Sequence, residues 1–217
     1  MGFFDTLMTL DWHMVGQLTL QHVRLVSIAV ALAIVIGVPI GMVTVRWPVI
    51  SNPLMMAATV ASTVPAIALF GIMMPLYSRF GQGLGPAPAV TAVFLYSLLP
   101  IMRNTHTALL SVDPGIREAG RGIGMTFWQR LYRVDFPLAL PGIFTGIRTA
   151  MVMNIGTMTI AAVIGAGGLG LLLLNAIGQS NIHLLVIGAI IVSVLAIIAD
   201  VLLHVLQYLL TSKGIRT

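Results

Sequence analysis

Residues 23–45, VRLVSIAVALAIVIGVPIGMVTV, decide the fold class of this chain. Arg24 is the single charged residue in the run. Because a bilayer core roughly 30 Å thick is crossed by about 20 mostly apolar residues in a helix, the run predicts a transmembrane helix. Four more stretches meet this criterion: residues 54–77, 87–108, 139–164 and 183–210. The sequence therefore predicts an all-α membrane protein of about five transmembrane helices, forming one domain over residues 1–217.

The composition supports a lipid environment and excludes several classes of protein. Of the 217 residues, 58% are hydrophobic and 8% are charged, whereas a soluble domain carries about a quarter charged residues. The net charge is +5, but the basic residues fall between apolar runs and form no soluble basic domain. We therefore expect membrane lipid and no nucleic acid as a partner. The absence of cysteine excludes disulfides and thiolate chemistry.

The first 22 residues lack the basic start, apolar stretch and small-residue cleavage site of a signal peptide. We expect residues 1–22 to form a short amphipathic segment at the membrane surface, anchored by Phe3, Phe4, Leu7 and Trp12.

Lysine and arginine are distributed unequally between the two sides that five alternating helices would create. With the N-terminus outside, two lie outside, Arg24 and Arg79, and nine lie inside: Arg46, Arg103, Arg117, Arg121, Arg130, Arg133, Arg148, Lys213 and Arg216. Because positive charge concentrates on the cytoplasmic side, this count predicts an outer N-terminus and a cytoplasmic C-terminus.

A polar stretch at residues 111–137, called here the polar hairpin, separates the third and fourth predicted spans. Asp113 before Pro114 predicts the N-cap of a first helix, which should end at Gly122 or Gly124. Thr126 followed by Gln129 predicts a capping box for a second helix, which Pro137 should stop.

The second helix has an apolar stripe and a polar rim. The stripe contains Phe127, Leu131 and Val134, and the rim contains Gln129, Arg130 and Arg133. The hairpin is either a connector resting on the membrane or a docking element for a soluble partner.

The spacing inside this hairpin resembles the E-A-A loop of ABC importer permeases, whose pattern is E-A-A-x3-G-x9-I-x-L-P. The matching residues are Glu118, Ala119, Gly120, Gly124, Val134, Phe136 and Pro137. The departures are Gly120 for alanine, Val134 for isoleucine and Phe136 for leucine, and only the glycine weakens its helix. The resemblance implies the type I ABC importer permease fold.

Further segments resemble the osmoprotectant branch of that family, which carries glycine betaine, carnitine and choline. They are residues 19–41, 62–65, 95–100, 103–105 and 164–170. A permease for another small solute, such as an amino acid, and a secondary carrier remain as alternatives.

The resemblance also implies the partners and the coupling residues. The hairpin would dock on a dimer of cytoplasmic ATPase subunits that bind ATP and magnesium. The seven motif residues would couple the two proteins, with Glu118 meeting the ATPase and Gly124 setting the turn. A second permease subunit, identical or related, and an extracytoplasmic solute-binding protein would complete a transporter of the bacterial inner membrane. This chain has no Walker A motif, and we expect no cofactor, metal or catalytic site in it.

Four residues inside the predicted spans are candidates for lining a translocation path: Pro65, Pro100, Asn104 and Asn154. Proline bends a helix because it removes a backbone hydrogen-bond donor. We expect such bends at Pro65 and Pro100, and also at Pro39 and Pro75. The prolines and glycines of the spans, including Gly37, Gly41 and Gly71, fit kinks around a path and close helix packing equally well. Asn154 fits an interhelical hydrogen bond better than a solute contact.

Three other features have ordinary structural interpretations. Residues 165–170, GAGGLG, match G-x-G-x-x-G, but the next acidic residue is Asp200, too far on for a dinucleotide site. We expect a tight outer turn, followed by a short re-entrant or surface helix at residues 169–177. Asp200 and His204 are four residues apart and share one face of the last predicted helix. They could form a proton-coupled pair, but we favour a structural hydrogen bond between them. We expect Arg148 to extend to the inner interface.

Overall fold

The computed structural model describes residues 2–211, and these form helices without any strand. The α-helices are α1 (Phe3–Thr9), α2 (Trp12–Arg46), α3 (Pro48–Thr63), α4 (Ala66–Ser78), α5 (Pro86–Leu110), α6 (Pro114–Gly122), α7 (Phe127–Arg130), α8 (Phe136–Ile160), α9 (Leu169–Gly178) and α10 (Ile182–Leu210). A π-helical turn, Leu131–Asp135, joins α7 to α8, and a 3-10 turn, Ala161–Ile164, follows α8.

Within residues 2–211, four continuous helical stretches are long and apolar enough to cross a bilayer. They are α2, α5, the run from Phe127 to Ile164 and α10. A fifth candidate is the pair α3 and α4, whose axes differ by 101°. The predicted all-α membrane architecture is confirmed.

The bent pair α3–α4 replaces the continuous helix predicted at residues 54–77. Val64 leaves the helical region with a ψ of 126°, and Pro65 caps α4. Proline has no N–H and disfavours helical geometry in the residue before it, so the helix ends there and restarts in a new direction.

The ends of the bent pair lie at opposite ends of the helix bundle. α3 begins just after Arg46, whose guanidinium lies 5.3 Å from the ring centre of Phe127 in the polar hairpin. α4 ends where Tyr77 bonds to Thr91 in the first turns of α5, at 2.5 Å. The pair therefore runs the length of the bundle, and counted as one broken span it brings residues 2–211 to five candidate crossings.

The first span begins at Trp12, earlier than predicted, because the Asp11 carboxylate accepts hydrogen bonds from the N–H groups of His13 and Met14 at 3.0 and 3.1 Å. The surface segment expected over residues 1–22 is therefore divided. Phe3–Thr9 form the separate short helix α1, whereas residues 12–22 belong to α2.

Glycines set the close approach of the three central helices α2, α5 and α8. A Cβ on Gly41 of α2 would lie 2.7 Å from the Cβ of Thr105 in α5. A Cβ on Gly142 of α8 would lie 2.5 Å from the Cβ of Ala108 in α5. Gly37 also faces α5, so at Gly37 and Gly41 the glycines serve helix packing. Pro39 and Pro100 lie within helices that continue past them.

α10 is the least buried of the long helices, with Ile187 and Gly188 as its buried residues. Its exposed apolar side chains suit a lipid-facing surface. The ten residues of α9 are too few to cross a bilayer, as expected. The glycine segment before α9 follows a helix and not a strand, which excludes the dinucleotide-binding interpretation.

Candidate functional site

The first helix of the polar hairpin is closed at both ends by local hydrogen bonds. At its start, the Asp113 side chain accepts from the N–H of Gly115 at 2.6 Å, which confirms the predicted cap. At its end, Gly124 has a φ of +82° and its N–H donates to the Arg121 carbonyl at 2.9 Å. The N–H of Met125 donates to the Gly120 carbonyl at 3.0 Å. These two bonds form a Schellman motif, so Gly124 sets the turn.

The second helix of the hairpin begins with the predicted capping box. The Thr126 N–H donates to Gln129 Oε1 at 2.9 Å, and the Gln129 N–H donates to Thr126 Oγ1 at 3.3 Å. The prediction that Pro137 stops this helix is wrong, because the chain continues through the π-turn into α8. The wider π-turn lies just before Pro137, where the proline ring would otherwise clash with a carbonyl of the preceding turn.

The seven motif residues occupy different environments within this hairpin. Glu118, Ala119 and Gly124 are exposed on the first helix and its turn, whereas Gly120 is buried. A Cβ at Gly120 would lie 3.5 Å from Cδ of Arg130, an ordinary contact, so the alanine of the family pattern would fit. Val134, Phe136 and Pro137 are half-buried where the hairpin joins α8.

A buried ion cluster ties the hairpin to the membrane helices. Asp135 is 1% exposed and receives Nε of Arg117 on one oxygen and Nε of Arg130 on the other, each at 3.4 Å. Arg117 also donates to the Leu109 carbonyl at the end of α5. Arg130 was expected on the exposed rim, but it is buried. In an α-helix, Arg130 and Asp135, five residues apart, lie on different faces, and the π-turn aligns them.

A concavity of about 580 Å³ opens at the break between α3 and α4. Three of the four path candidates, Pro65, Pro100 and Asn104, line it. Its polar lining also includes Ser62, Thr63, Tyr96, Arg103 and Thr157. The Tyr96 hydroxyl donates to the Val64 carbonyl and so holds α5 against the break between α3 and α4.

The fourth candidate, Asn154, lies elsewhere. It is fully buried and its Nδ2 donates to Ser97 Oγ at 2.8 Å between α8 and α5. Asn154 lines none of the three concavities described here. It makes the interhelical hydrogen bond that the sequence favoured.

Two further concavities continue the first along one face of the molecule. One of about 420 Å³ shares Asn104 with it and adds Thr107, Ser111 and Thr145. Another of about 550 Å³ shares Met153 with the first and Thr145 with the second. We call the surface that these three line the polar face. A stripe at four-residue spacing on α8, Thr145, Thr149, Met153 and Thr157, could have indicated it from the sequence.

An ion pair that the sequence did not reveal lies at the border of the polar face. Arg148 Nε and Nη2 donate to the two carboxylate oxygens of Asp200 at 2.8 and 2.7 Å. Arg148 Nη1 lies 3.2 Å from Nδ1 of His204. We expected Arg148 to extend to the inner interface, and the structure directs its guanidinium to Asp200 of α10. Asp200 binds Arg148 in place of the expected bond to His204.

Comparison with known proteins places this geometry in context. The family described as "Binding-protein-dependent transport system inner membrane component" matches residues 19–211. The osmoprotectant import permease protein OsmW of Salmonella typhimurium is 65% identical over 201 residues, covering 93% of this chain and 94% of that protein. The glycine betaine/carnitine/choline transport system permease protein OpuCB of Bacillus subtilis is 37% identical, covering 90% of this chain and 88% of that protein.

Solved structures share the same fold at lower identity. An inward-facing form of the MetNI methionine ABC transporter matches with a TM-score of 0.82 at 22% identity, covering 92% of this chain and 97% of that chain. A chain from the crystal structure of an amino acid ABC transporter with histidines matches with a TM-score of 0.78 at 20% identity, covering 96% and 98%.

Proposed function

This chain belongs to the family of binding-protein-dependent transport system inner membrane components, and from that premise we propose that it imports osmoprotectants of the glycine betaine, carnitine and choline type. It is a multi-pass protein of the bacterial inner membrane and the permease subunit of an ABC importer. It is a transport component and not an enzyme, and a separate protein hydrolyses ATP.

The substrate class is carried by the 65% identity to the osmoprotectant permease over 93% of this chain. Residues of both the polar hairpin and the polar face lie inside the family match at residues 19–211. More distant relatives at 36 to 39% identity bear names for choline or carnitine transport, so the relatives agree on quaternary ammonium compounds. The likeness to the methionine transporter, at 22% identity, concerns the fold alone and favours no amino acid substrate.

The partners follow in general from the family: an ATPase and a solute-binding protein. We further propose that a second permease subunit covers the polar face, so that the two together enclose the path. The exposed side chains of Thr145 and Thr149 support this arrangement, because polar groups in a membrane helix are found facing protein or a water-filled cavity.

The polar hairpin is the proposed docking site for a dimer of the ATPase. Glu118 and Ala119 present an exposed first helix, and the Schellman turn at Gly124 fixes where that helix ends. The cluster around Asp135 joins this surface to α5 and to the start of α8. Movement of the docked partner would therefore reach two of the helices that line the polar face.

The test is uptake of radiolabelled glycine betaine, carnitine and choline by the complete transporter in a bacterial host without its own osmoprotectant importers. The matched control carries an ATPase subunit whose Walker A lysine is replaced. We expect accumulation of at least one of the three compounds that requires the intact ATPase. Uptake of methionine or another amino acid, with no response to any quaternary ammonium compound, would refute the proposed substrate class and leave the permease assignment intact.

A further inference from the structure

The Arg148–Asp200 pair joins two helices of membrane-crossing length, α8 and α10, and charged groups within such helices are costly and mark solute or ion pathways. Arg148 lies twelve residues from each end of α8. The side chains are 27% and 36% exposed, so the described residues of this chain do not seal the pair. A structural pair turned wholly inward would not be exposed in this way.

The geometry leaves both partners with free hydrogen-bonding capacity. Arg148 uses Nε and Nη2 toward Asp200 and directs Nη1 toward His204, so at most three of the five N–H groups of the guanidinium are engaged. Each oxygen of Asp200 accepts one of these bonds, whereas a carboxylate has about four acceptor positions. The pair can therefore bind a further ligand without separating.

The open side of the pair faces a concavity of about 550 Å³ on the polar face, lined also by Thr145, Thr149, Val152 and Met153. Through Met153 and Thr145 this concavity adjoins the two others, so the pair borders the proposed path. The pair and the concavity together offer a positive and a negative group side by side, with no net charge.

We propose that Arg148 and Asp200 form a binding subsite for a zwitterionic solute that carries a carboxylate and a quaternary ammonium. This inference rests on the proposed function and names the class of substrate that the polar face recognises. Arg148 holds the solute carboxylate through its free N–H groups, and the Asp200 carboxylate attracts the cationic end. A head-to-tail arrangement of two opposed dipoles satisfies all four charges, whereas a simple cation would leave the guanidinium facing a like charge.

A purely structural role makes a different prediction. If the pair only anchors α10, its loss lowers the amount of folded protein and affects every solute equally. A subsite affects zwitterions more than cations at unchanged protein abundance. The comparison of glycine betaine with choline therefore separates the two roles.

The principal variant is the double substitution Arg148→Gln with Asp200→Asn, which removes both charges while amide groups can still bond across the helices. The control is Ser193→Ala, which is exposed on α10 two helical turns before Asp200 and lines none of the three concavities. The measurements are maximal uptake rates of both compounds, membrane abundance and ATPase co-purification, all in the complete transporter. We expect about a tenfold loss of the glycine betaine rate in the double variant, a much smaller loss of the choline rate, and unchanged abundance and co-purification.

A second measurement reports occupancy of the subsite without depending on choline transport. Thr149→Cys introduces a single cysteine into the lining of the concavity, because the chain has none. We expect glycine betaine to slow thiol labelling of this residue several-fold in the otherwise native complete transporter. The same compound should not protect it in the neutral double variant, and choline should protect in neither.

The outcomes are distinct. Equal loss of both solutes in the double variant, or labelling that glycine betaine does not slow, would overturn the subsite. Failure of the native transporter to accumulate any quaternary ammonium compound would overturn the proposed function itself, and the inference with it.

Discussion

Substitution of Gly124 by valine should abolish transport while the protein still reaches the membrane. Gly124 has a φ of +82°, and a Cβ built there meets no atom within 4 Å. The penalty is therefore backbone strain and not a clash. A left-handed conformation costs an ordinary residue about 1–2 kcal/mol, and a branched side chain resists it more. A penalty of about 2 kcal/mol lowers the equilibrium ratio of the native turn to its alternatives roughly 30-fold.

A substitution series separates strain from other effects. Asparagine tolerates the left-handed region better than alanine, and alanine better than valine, so uptake should fall in the order Gly124→Asn, Gly124→Ala, Gly124→Val. Gly122 is the matched control, because it is also open to solvent but has an ordinary φ. Gly122→Val should transport much more than Gly124→Val. Glu118→Ala removes one exposed contact and should weaken transport less than Gly124→Val.

The assay combines solute uptake, membrane abundance and co-purification of the ATPase with each variant. We expect Gly124→Val to be abundant in the membrane with its ATPase binding or its solute-stimulated hydrolysis lost. Normal uptake by Gly124→Val, or equal loss in Gly122→Val and Gly124→Val, would show that the conformation of this turn does not couple the two proteins.

Three further predictions concern packing and orientation. Gly120→Ala should raise the thermal unfolding temperature in detergent and preserve uptake, since alanine favours helix by about 1 kcal/mol and its Cβ has room; a lower unfolding temperature would contradict this. Gly146→Ala should lower the free energy of unfolding of the protein by about 1–3 kcal/mol, because the new Cβ would lie 2.7 Å from Cβ of Asn104. Gly156→Ala on the same helix is the control, because a Cβ there has open space. An impermeant thiol reagent on intact cells should label Arg79→Cys and spare Gln129→Cys, and labelling of the latter would reverse the predicted orientation.

The local features of the polar hairpin were predictable from the sequence. The caps at Asp113 and Thr126 and the turn at Gly124 depend on hydrogen bonds between residues at most five apart, so the necessary groups are adjacent in the chain. The apolar runs were equally informative, because the thickness of a bilayer sets the length of a crossing helix. Lys213 and Arg216, which contributed to the predicted orientation, lie outside the described residues.

The conformational preference of proline does not by itself predict whether a helix ends, as Pro65 and Pro137 show. Each proline predicted a disturbance of its helix. At Pro65 the helix turns through 101°, whereas near Pro137 a π-turn absorbs the strain and the helix continues. The difference depends on the surroundings: Tyr96 of α5 holds the Val64 carbonyl, and the Asp135 cluster holds the π-turn.

Runs of apolar residues and groups close together in the chain were enough to predict a membrane protein of about five crossings and the caps of its polar hairpin, whose spacing resembles the E-A-A loop. Which polar groups meet inside the bundle is seen only in the folded protein. Arg148 and Asp200 are 52 residues apart and belong to different helices, and the polar face draws on α3, α4, α5 and α8. Which faces of these helices come together depends on close packing at glycines such as Gly41 and Gly142, and that complementarity exists only between folded elements.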